Sequence, residues 1–232
     1  MPQNTLIVTP LQEEYAELYN SLSSHGLKSQ KAKIGRLDVC RFPELSLTLA
    51  RGGHGKTQFG IQTQHLLDHA QFDLVICAGA AGALSPEVTV GDVIIATSTL
   101  EHDYNNKFSN RPKPSFAGDT ESIEQIKVLD MSDASFRIHF GIMAGGDEDV
   151  IDVIRGAELR QITNALAVAW EGVGGARASA FSNIAYLEIR GATDAANHEA
   201  PVVFDTNLKI VMENIAYLLV RWLKYQDNLA KE

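Results

Sequence analysis

Three acidic segments of this chain stand where apolar runs give way to turns, places where a carboxylate is costly unless it has a partner or a task. The first is Thr9-Pro-Leu-Gln-Glu-Glu14, in which two carboxylates open a helix. Glutamate in a first turn is favoured by the helix macrodipole, so capping is the ordinary role. The alternative is that one of the pair points back over a sheet and activates a water. The second is Ala167-Val-Ala-Trp-Glu171, an apolar run that ends on Glu171 and continues at once into Gly172. One ionised carboxylate accepts from two neighbouring hydroxyls, which is what a ribose diol offers. The third is Leu187-Glu-Ile-Arg-Gly-Ala-Thr-Asp194, a run entering a polar turn with Asp194 just past its end. Helix capping and acid chemistry are both open for Asp194.

Two small-residue segments accompany them. Cys77-Ala-Gly-Ala-Ala-Gly-Ala-Leu84 has no large side chain before Leu84 and allows backbone to approach either another strand or a ligand. Ala50-Arg-Gly-Gly-His-Gly-Lys-Thr57 comes near a phosphate-binding loop, but Ala50 occupies the first glycine position of that pattern and no clear magnesium-binding aspartate follows an apolar strand. The other reading is a glycine-rich turn whose His54 faces a pocket. At Glu101-His102-Asp103 either of the last two residues has catalytic potential, although an aspartate beside a histidine is more often a local hydrogen-bonded pair. Neither the histidines nor Cys40 and Cys77 have metal-ligand spacing, so no metal or organic cofactor is expected. Both cysteines lie in apolar runs and are read as reduced and buried.

Short β-branched runs alternate with helical stretches and must carry these segments. Residues 5–9, 45–50, 74–77, 93–96, 137–143, 165–170 and 187–190 read as strands, and 12–23, 55–70, 172–183 and 206–229 as helices. That alternation predicts an α/β fold with a central mixed, mostly parallel sheet flanked by helices on both faces, and ligands at the carboxyl ends of its strands. Residues 105–120, with Pro112, Pro114 and Gly118, read as a long surface loop. With 232 residues and 45% hydrophobic content, a single domain over 1–232 is the default. A net charge of −9 argues against nucleic acid and anionic membrane as partners, leaving a small molecule. No apolar run approaches the roughly 20 residues of a membrane span, and nothing resembles a leader, so a soluble cytoplasmic protein is expected.

The order of the motifs resembles that of the nucleoside phosphorylase/nucleosidase superfamily, most of all its methylthioadenosine/S-adenosylhomocysteine nucleosidases. Leu11-Gln-Glu-Glu14 resembles the family's Met-Glu-Glu-Glu, Gly53-His-Gly-Lys56 its Gly-Ile-Gly-Lys, and Ala78-Gly-Ala-Ala-Gly-Ala-Leu84 its Thr-Gly-Ser-Ala-Gly-Gly-Leu. Val90-Gly-Asp-Val93, His102-Asp103, Gly146-Asp147, Val168-Ala-Trp-Glu171 and Arg190-Gly-Ala-Thr-Asp194 follow in the family's order across nearly the whole chain.

The resemblance implies a nucleosidase in which Asp194 protonates the departing purine, Glu14 activates the attacking water and Glu171 holds the ribose hydroxyls. Such a reaction passes through an oxocarbenium-like state, and two carboxylates serve it if their environments hold Asp194 protonated and Glu14 ionised. Trp170, Ala80, Gly82, Asp149, Val150 and His54 are implied to line the substrate. Three of these depart from the family: Ala80 replaces Ser, Trp170 replaces Met under the sugar, and Asp149 replaces a ring that stacks on the base. The expected substrate is a 5′-modified purine nucleoside such as methylthioadenosine or S-adenosylhomocysteine, and futalosine hydrolases and other purine nucleosidases remain within the pattern. Phosphate-dependent cleavage is the alternative, with Gly53-His-Gly55 resembling the phosphorylase turn and Arg36 or Arg51 as a cation from a neighbouring subunit. It needs a phosphate-binding cation that the acidic turn at Glu14 does not offer. A second alternative is a catalytically weak nucleoside-binding sensor. The resemblance also implies a homodimer or larger homo-oligomer.

Overall fold

The structure is a computed structural model and describes residues 3–229. Strand β1 (Thr5–Thr9) is buried along its whole length because it is covered twice. Ile7 faces a core with Leu18, Leu22 and Trp222, while Leu6 and Val8 face a second core with Phe59, Leu66 and Ala176. This is why the strand reads as continuous apolar sequence rather than alternation. Helices α1 (Gln12–Ser24) and α6 (Ala200–Leu229) form one layer, and α2 (Lys56–His69) and α5 (Gly172–Ser182) the other. The sheet between them holds β2 (Gln30–Ile34), β3 (Leu37–Phe42), β4 (Leu47–Arg51), β5 (Leu74–Ala83), β6 (Val93–Glu101), β7 (Ser115–Ala117), β8 (Ile138–Gly145), β9 (Ala165–Ala169) and β10 (Ala185–Asp194). Two further helices, α3 (Thr120–Lys127) and α4 (Val153–Thr163), complete the chain.

The sheet is mixed. Parallel pairings join β4, β1, β5 and β10, and also β6, β8 and β9. The antiparallel pairs β10–β6 and β5–β9 close β5, β9, β8, β6 and β10 into a ring. Closure explains why β5 and β10 run for ten residues each, far past the apolar cores 74–77 and 187–190 that mark them in the sequence. Their small distal residues, from Ala78 and Gly191 onward, are held extended by pairing with each other, with β9 joining at Gly82 and Ala83 and β6 at Gly191, rather than by their own propensity.

The hairpin β2–β3 was not anticipated: β2 is polar and largely exposed at the sheet edge, and only Ile34 of it is buried. Helices α3 and α4 were also missed. The loop at 105–120 contains the short strand β7, and α6 starts at Ala200 rather than at 206, with Pro201 in its first turn, where proline is tolerated. Cys40 and Cys77 are buried and free, on β3 and β5. No helix of the described residues is long and apolar enough to cross a membrane.

Candidate active site

The turns that follow β1, β4, β8 and β9, together with the distal ends of β5 and β10, enclose a cavity of about 360 Å³, a volume in the range of small-molecule sites. The nine residues that the resemblance implies for the site all line it: Glu14, His54, Ala80, Gly82, Asp149, Val150, Trp170, Glu171 and Asp194.

Glu14 reaches the cavity because of helical phase. Glu14, Leu18 and Leu22 recur every fourth residue on the buried face of α1, while Glu13 is exposed. The carboxylate caps its own helix, accepting from Leu11 N–H at 2.7 Å, and its other oxygen accepts from Ala80 N–H at 2.7 Å. Capping and cavity roles therefore coexist. Burial pushes its pKa from the ordinary 4.5 up to about 7, opposed by Arg190 and the two N–H groups and reinforced by Glu171.

Glu171 follows β9 at the N-terminal boundary of α5, leaving its carboxylate unused as a helix cap, and the sequence Gly172-Val-Gly-Gly of α5 lets α2 come close: a Cβ on Gly174 would stand 2.2 Å from the Lys56 carbonyl. Its Oε1 accepts from Gly55 N–H at 3.2 Å and lies 3.4 Å from His54 Nδ1. The His54 ring sits 4.3 Å from that of Trp170, and the two rings border the cavity together. Asp194 lies opposite Gly82 in the β10–β5 register, and a Cβ on Gly82 would come within 2.9 Å of its Oδ1. It accepts from the Thr193 hydroxyl and from Ala196 N–H, both at 2.8 Å, a local turn well before α6 rather than a helix cap. Burial raises its pKa, against those two bonds. Burial thus raises both carboxylates, where the sequence reading has Asp194 held protonated and Glu14 held ionised. Asp149 is exposed at the cavity wall and Val150 is buried, while Glu148 between Asp147 and Asp149 turns to Arg155, at 2.6 and 2.8 Å.

Sequence reasoning missed the guanidinium at the centre. Arg190 is 1% exposed and its Nη2 lies 3.5 Å from Glu171 Oε2, with Nη1 donating to the Ala80 carbonyl at 3.2 Å. Burial opposes its charge, but the acidic groups around it, among them Glu188, Glu171 and Glu14, more than compensate and raise its pKa. A signal was available: Glu188 and Arg190 alternate with Leu187 and Ile189, two opposite charges on one face of an otherwise apolar strand.

The loop at 50–57 is not arranged for phosphate. Lys56 Nζ is held by Asp103, at 2.6 and 2.7 Å, and by Glu101 at 2.9 Å. Asp147 accepts from Lys56 N–H at 2.8 Å and donates its own N–H to Asp103 at 3.0 Å, so the turns bearing His54 and Asp149 are tied to each other. The anticipated His102–Asp103 pair does not form. His102 is buried with neither ring nitrogen hydrogen-bonded among the described residues, its Nδ1 lying 3.7 Å from Glu148, and burial lowers its pKa. Neither residue lines the cavity, nor do Arg36 and Arg51. Among the described residues no cluster of His, Cys, Asp or Glu is arranged to hold a metal.

The family model of the phosphorylase superfamily matches residues 4–224. The 5′-methylthioadenosine/S-adenosylhomocysteine nucleosidase of Tolumonas auensis is 28% identical over 225 residues, 94% of each chain. That of Bacillus cytotoxicus is 28% identical over 210 residues, 85% of this chain and 91% of its own. The structure is similar to that of the S. pneumoniae nucleosidase with the transition-state inhibitor MT-ImmA, with a TM-score of 0.84 at 28% identity over 95% of this chain and 98% of the other. Futalosine hydrolase of Helicobacter pylori shares the fold, with a TM-score of 0.85 at 20% identity over 97% and 99% of the two chains.

Proposed function

The chain belongs to the phosphorylase superfamily, and from that membership we propose that it hydrolyses the N-glycosidic bond of a 5′-modified purine nucleoside such as methylthioadenosine or S-adenosylhomocysteine. The observation that carries the reading is the meeting of Glu14, Glu171 and Asp194, from three distant parts of the chain, around one cavity. In this reading Asp194 gives its proton to the leaving base. Its raised pKa favours the protonated form that a general acid needs. Glu14, titrating at about 7, takes the proton of the attacking water, and Glu171 accepts from the ribose hydroxyls. Trp170 and His54 flank the sugar and its 5′ substituent.

Water rather than phosphate is the nucleophile in this reading. A phosphate dianion needs a free cation. Arg190 is the arginine that lines the cavity, and its donors already face Glu188, Ala80, Cys77 and Glu171. The test is a panel of purine nucleosides assayed for free base with and without phosphate. Release in phosphate-free buffer is expected, and turnover strictly dependent on phosphate overturns the reading. The protein is further read as a cytoplasmic homodimer or larger homo-oligomer. Its free thiols suit a reducing compartment, and the exposed Ile61 and Phe181 lie on the mutually packed helices α2 and α5. A monomeric mass in sedimentation would remove the oligomer from this reading.

A further inference from the structure

Glu188 is a buried carboxylate to which the proposed reaction assigns no task. It stands on β10, 1% exposed, and does not line the cavity. Both oxygens are engaged, Oε1 by Arg190 Nε at 2.8 Å and Oε2 by the Thr99 hydroxyl of β6 at 2.5 Å. The carboxylate also presses on the first residue of α5, since a Cβ on Gly172 would stand 2.1 and 2.2 Å from its oxygens. A buried ion pair is weak as a source of stability, because well-packed apolar side chains often serve as well. The charge therefore calls for a role beyond packing.

The neighbours of Arg190 supply one. A guanidinium is a rigid plane of five donors, so fixing Nε fixes where the other two nitrogens point. With Nε on Glu188, Nη1 meets the Ala80 carbonyl at 3.2 Å, and Nη2 lies 3.3 Å from Cys77 Sγ and 3.5 Å from Glu171 Oε2. Glu14 borders the same cation: a Cβ built on Gly79 would meet Glu14 Oε1 at 2.6 Å and Arg190 Nη1 at 2.8 Å. One buried cation thus faces three carboxylates, two at the cavity and one behind it.

We propose that Glu188 is a positioning residue for the reaction, aiming the Arg190 guanidinium between Glu14 and Glu171 and sharing its charge, so that it sets how strongly the cation acts on Glu14. The link to turnover rests on the nucleosidase reading, whereas the electrostatic link from Glu188 through Arg190 to Glu14 does not. Arg190 is the chief influence opposing burial at Glu14. The remaining ionisable groups around this set are Glu171 at the head of α5, Cys77 on β5 and Tyr186 and Asp194 on β10, with His54 at the cavity mouth. Burial raises the Cys77 thiol, leaving it neutral, so the balance near Glu14 is set by the arginine and the three glutamates.

Glu188→Gln isolates the charge. Its amide keeps an acceptor for Arg190 Nε and a donor for the Thr99 oxygen, while the negative charge is lost. Arg190 then acts undivided on Glu14 and Glu171. The carboxyl carbon of Glu14, followed by carbon-13 NMR and assigned by its absence in Glu14→Gln, is expected to titrate lower by about one pH unit or more. The acid limb of kcat/KM should move down with it, with KM changed by no more than about twofold, since Glu188 does not touch the cavity. A Glu14 titration and an acid limb that both superimpose on wild type overturn the proposal. In the wild-type protein the Arg190 Nε–H should be protected from solvent exchange, and an unprotected Nε–H overturns it even if the variant does not fold. A wild-type protein that releases no base defeats the functional reading alone, because the NMR titration needs no turnover.

Discussion

Replacing Glu14 by Gln should end turnover and, at the same time, remove a large part of the protein's loss of stability between mildly acidic and alkaline pH. Glu14 titrates at about 7 in the fold against an ordinary 4.5, so the folded chain holds this proton more tightly than the unfolded one. The resulting stabilisation is complete below pH 4.5 and is lost as pH rises through 7. The distance from 4.5 to about 7, at about 1.4 kcal/mol for each tenfold in acidity, amounts to about 3 kcal/mol. Gln cannot titrate, but it carries its own penalty. Both Glu14 oxygens accept backbone N–H groups, and an amide offers one acceptor, leaving a buried donor unmatched at a cost of about 1–3 kcal/mol at every pH. The variant should therefore be the less stable protein at pH 5, and the wild type should lose about 2–3 kcal/mol relative to it by pH 8. Urea unfolding of both proteins at the two pH values measures this. Stability curves that stay parallel from pH 5 to pH 8 would show that Glu14 titrates normally and would refute the reasoning.

Asp194→Asn should lower kcat by roughly a hundred to ten thousandfold while nucleoside binding, measured by calorimetry, changes only a few fold, because the acid acts in the transition state. Gly79→Ala would place a Cβ 2.6 Å from Glu14 Oε1 and 2.8 Å from Arg190 Nη1. It should cost at least about tenfold in kcat with a modest fall in Tm, because side-chain ends rather than backbone must move aside. Lys56→Met leaves Asp103, whose side chain is 26% exposed, without its cation; the backbone bond from Lys56 N–H to Asp147 is kept, so it is the Asp103 anchor of the turns that carry His54 and Asp149 that loosens. A loss of about 2 kcal/mol, about 4–8 °C in Tm by calorimetry, is expected together with a raised KM.

The parts of this fold visible in the sequence are those whose burial follows from local pattern. Strand β1, covered on both faces, shows as an unbroken apolar run, and α1 shows as a helix because Leu18 and Leu22 share a face. What escaped depends on partners distant in the chain. The outer halves of β5 and β10 are strings of small residues that become strand only because the ring closes on them, and the polar edge strand β2 pairs through its backbone. The site divides in the same way. Glu14, Glu171 and Asp194 each end or follow an apolar run and could be found singly. Arg190 could not be placed, because its position among Glu14, Glu171 and Glu188 depends on β10 lying beside β5 and below the heads of α1 and α5. The direction in which burial moves Glu14 and Asp194 likewise depends on how deeply the assembled cavity desolvates them.

The most direct test follows the oxygen that the sugar acquires. With methylthioadenosine as substrate in phosphate-free buffer made with oxygen-18 water, the account predicts free adenine and a methylthioribose carrying the heavy oxygen at its anomeric carbon, both abolished in Glu14→Gln. Intact nucleoside after prolonged incubation, or a sugar phosphate formed only when phosphate is supplied, would contradict it.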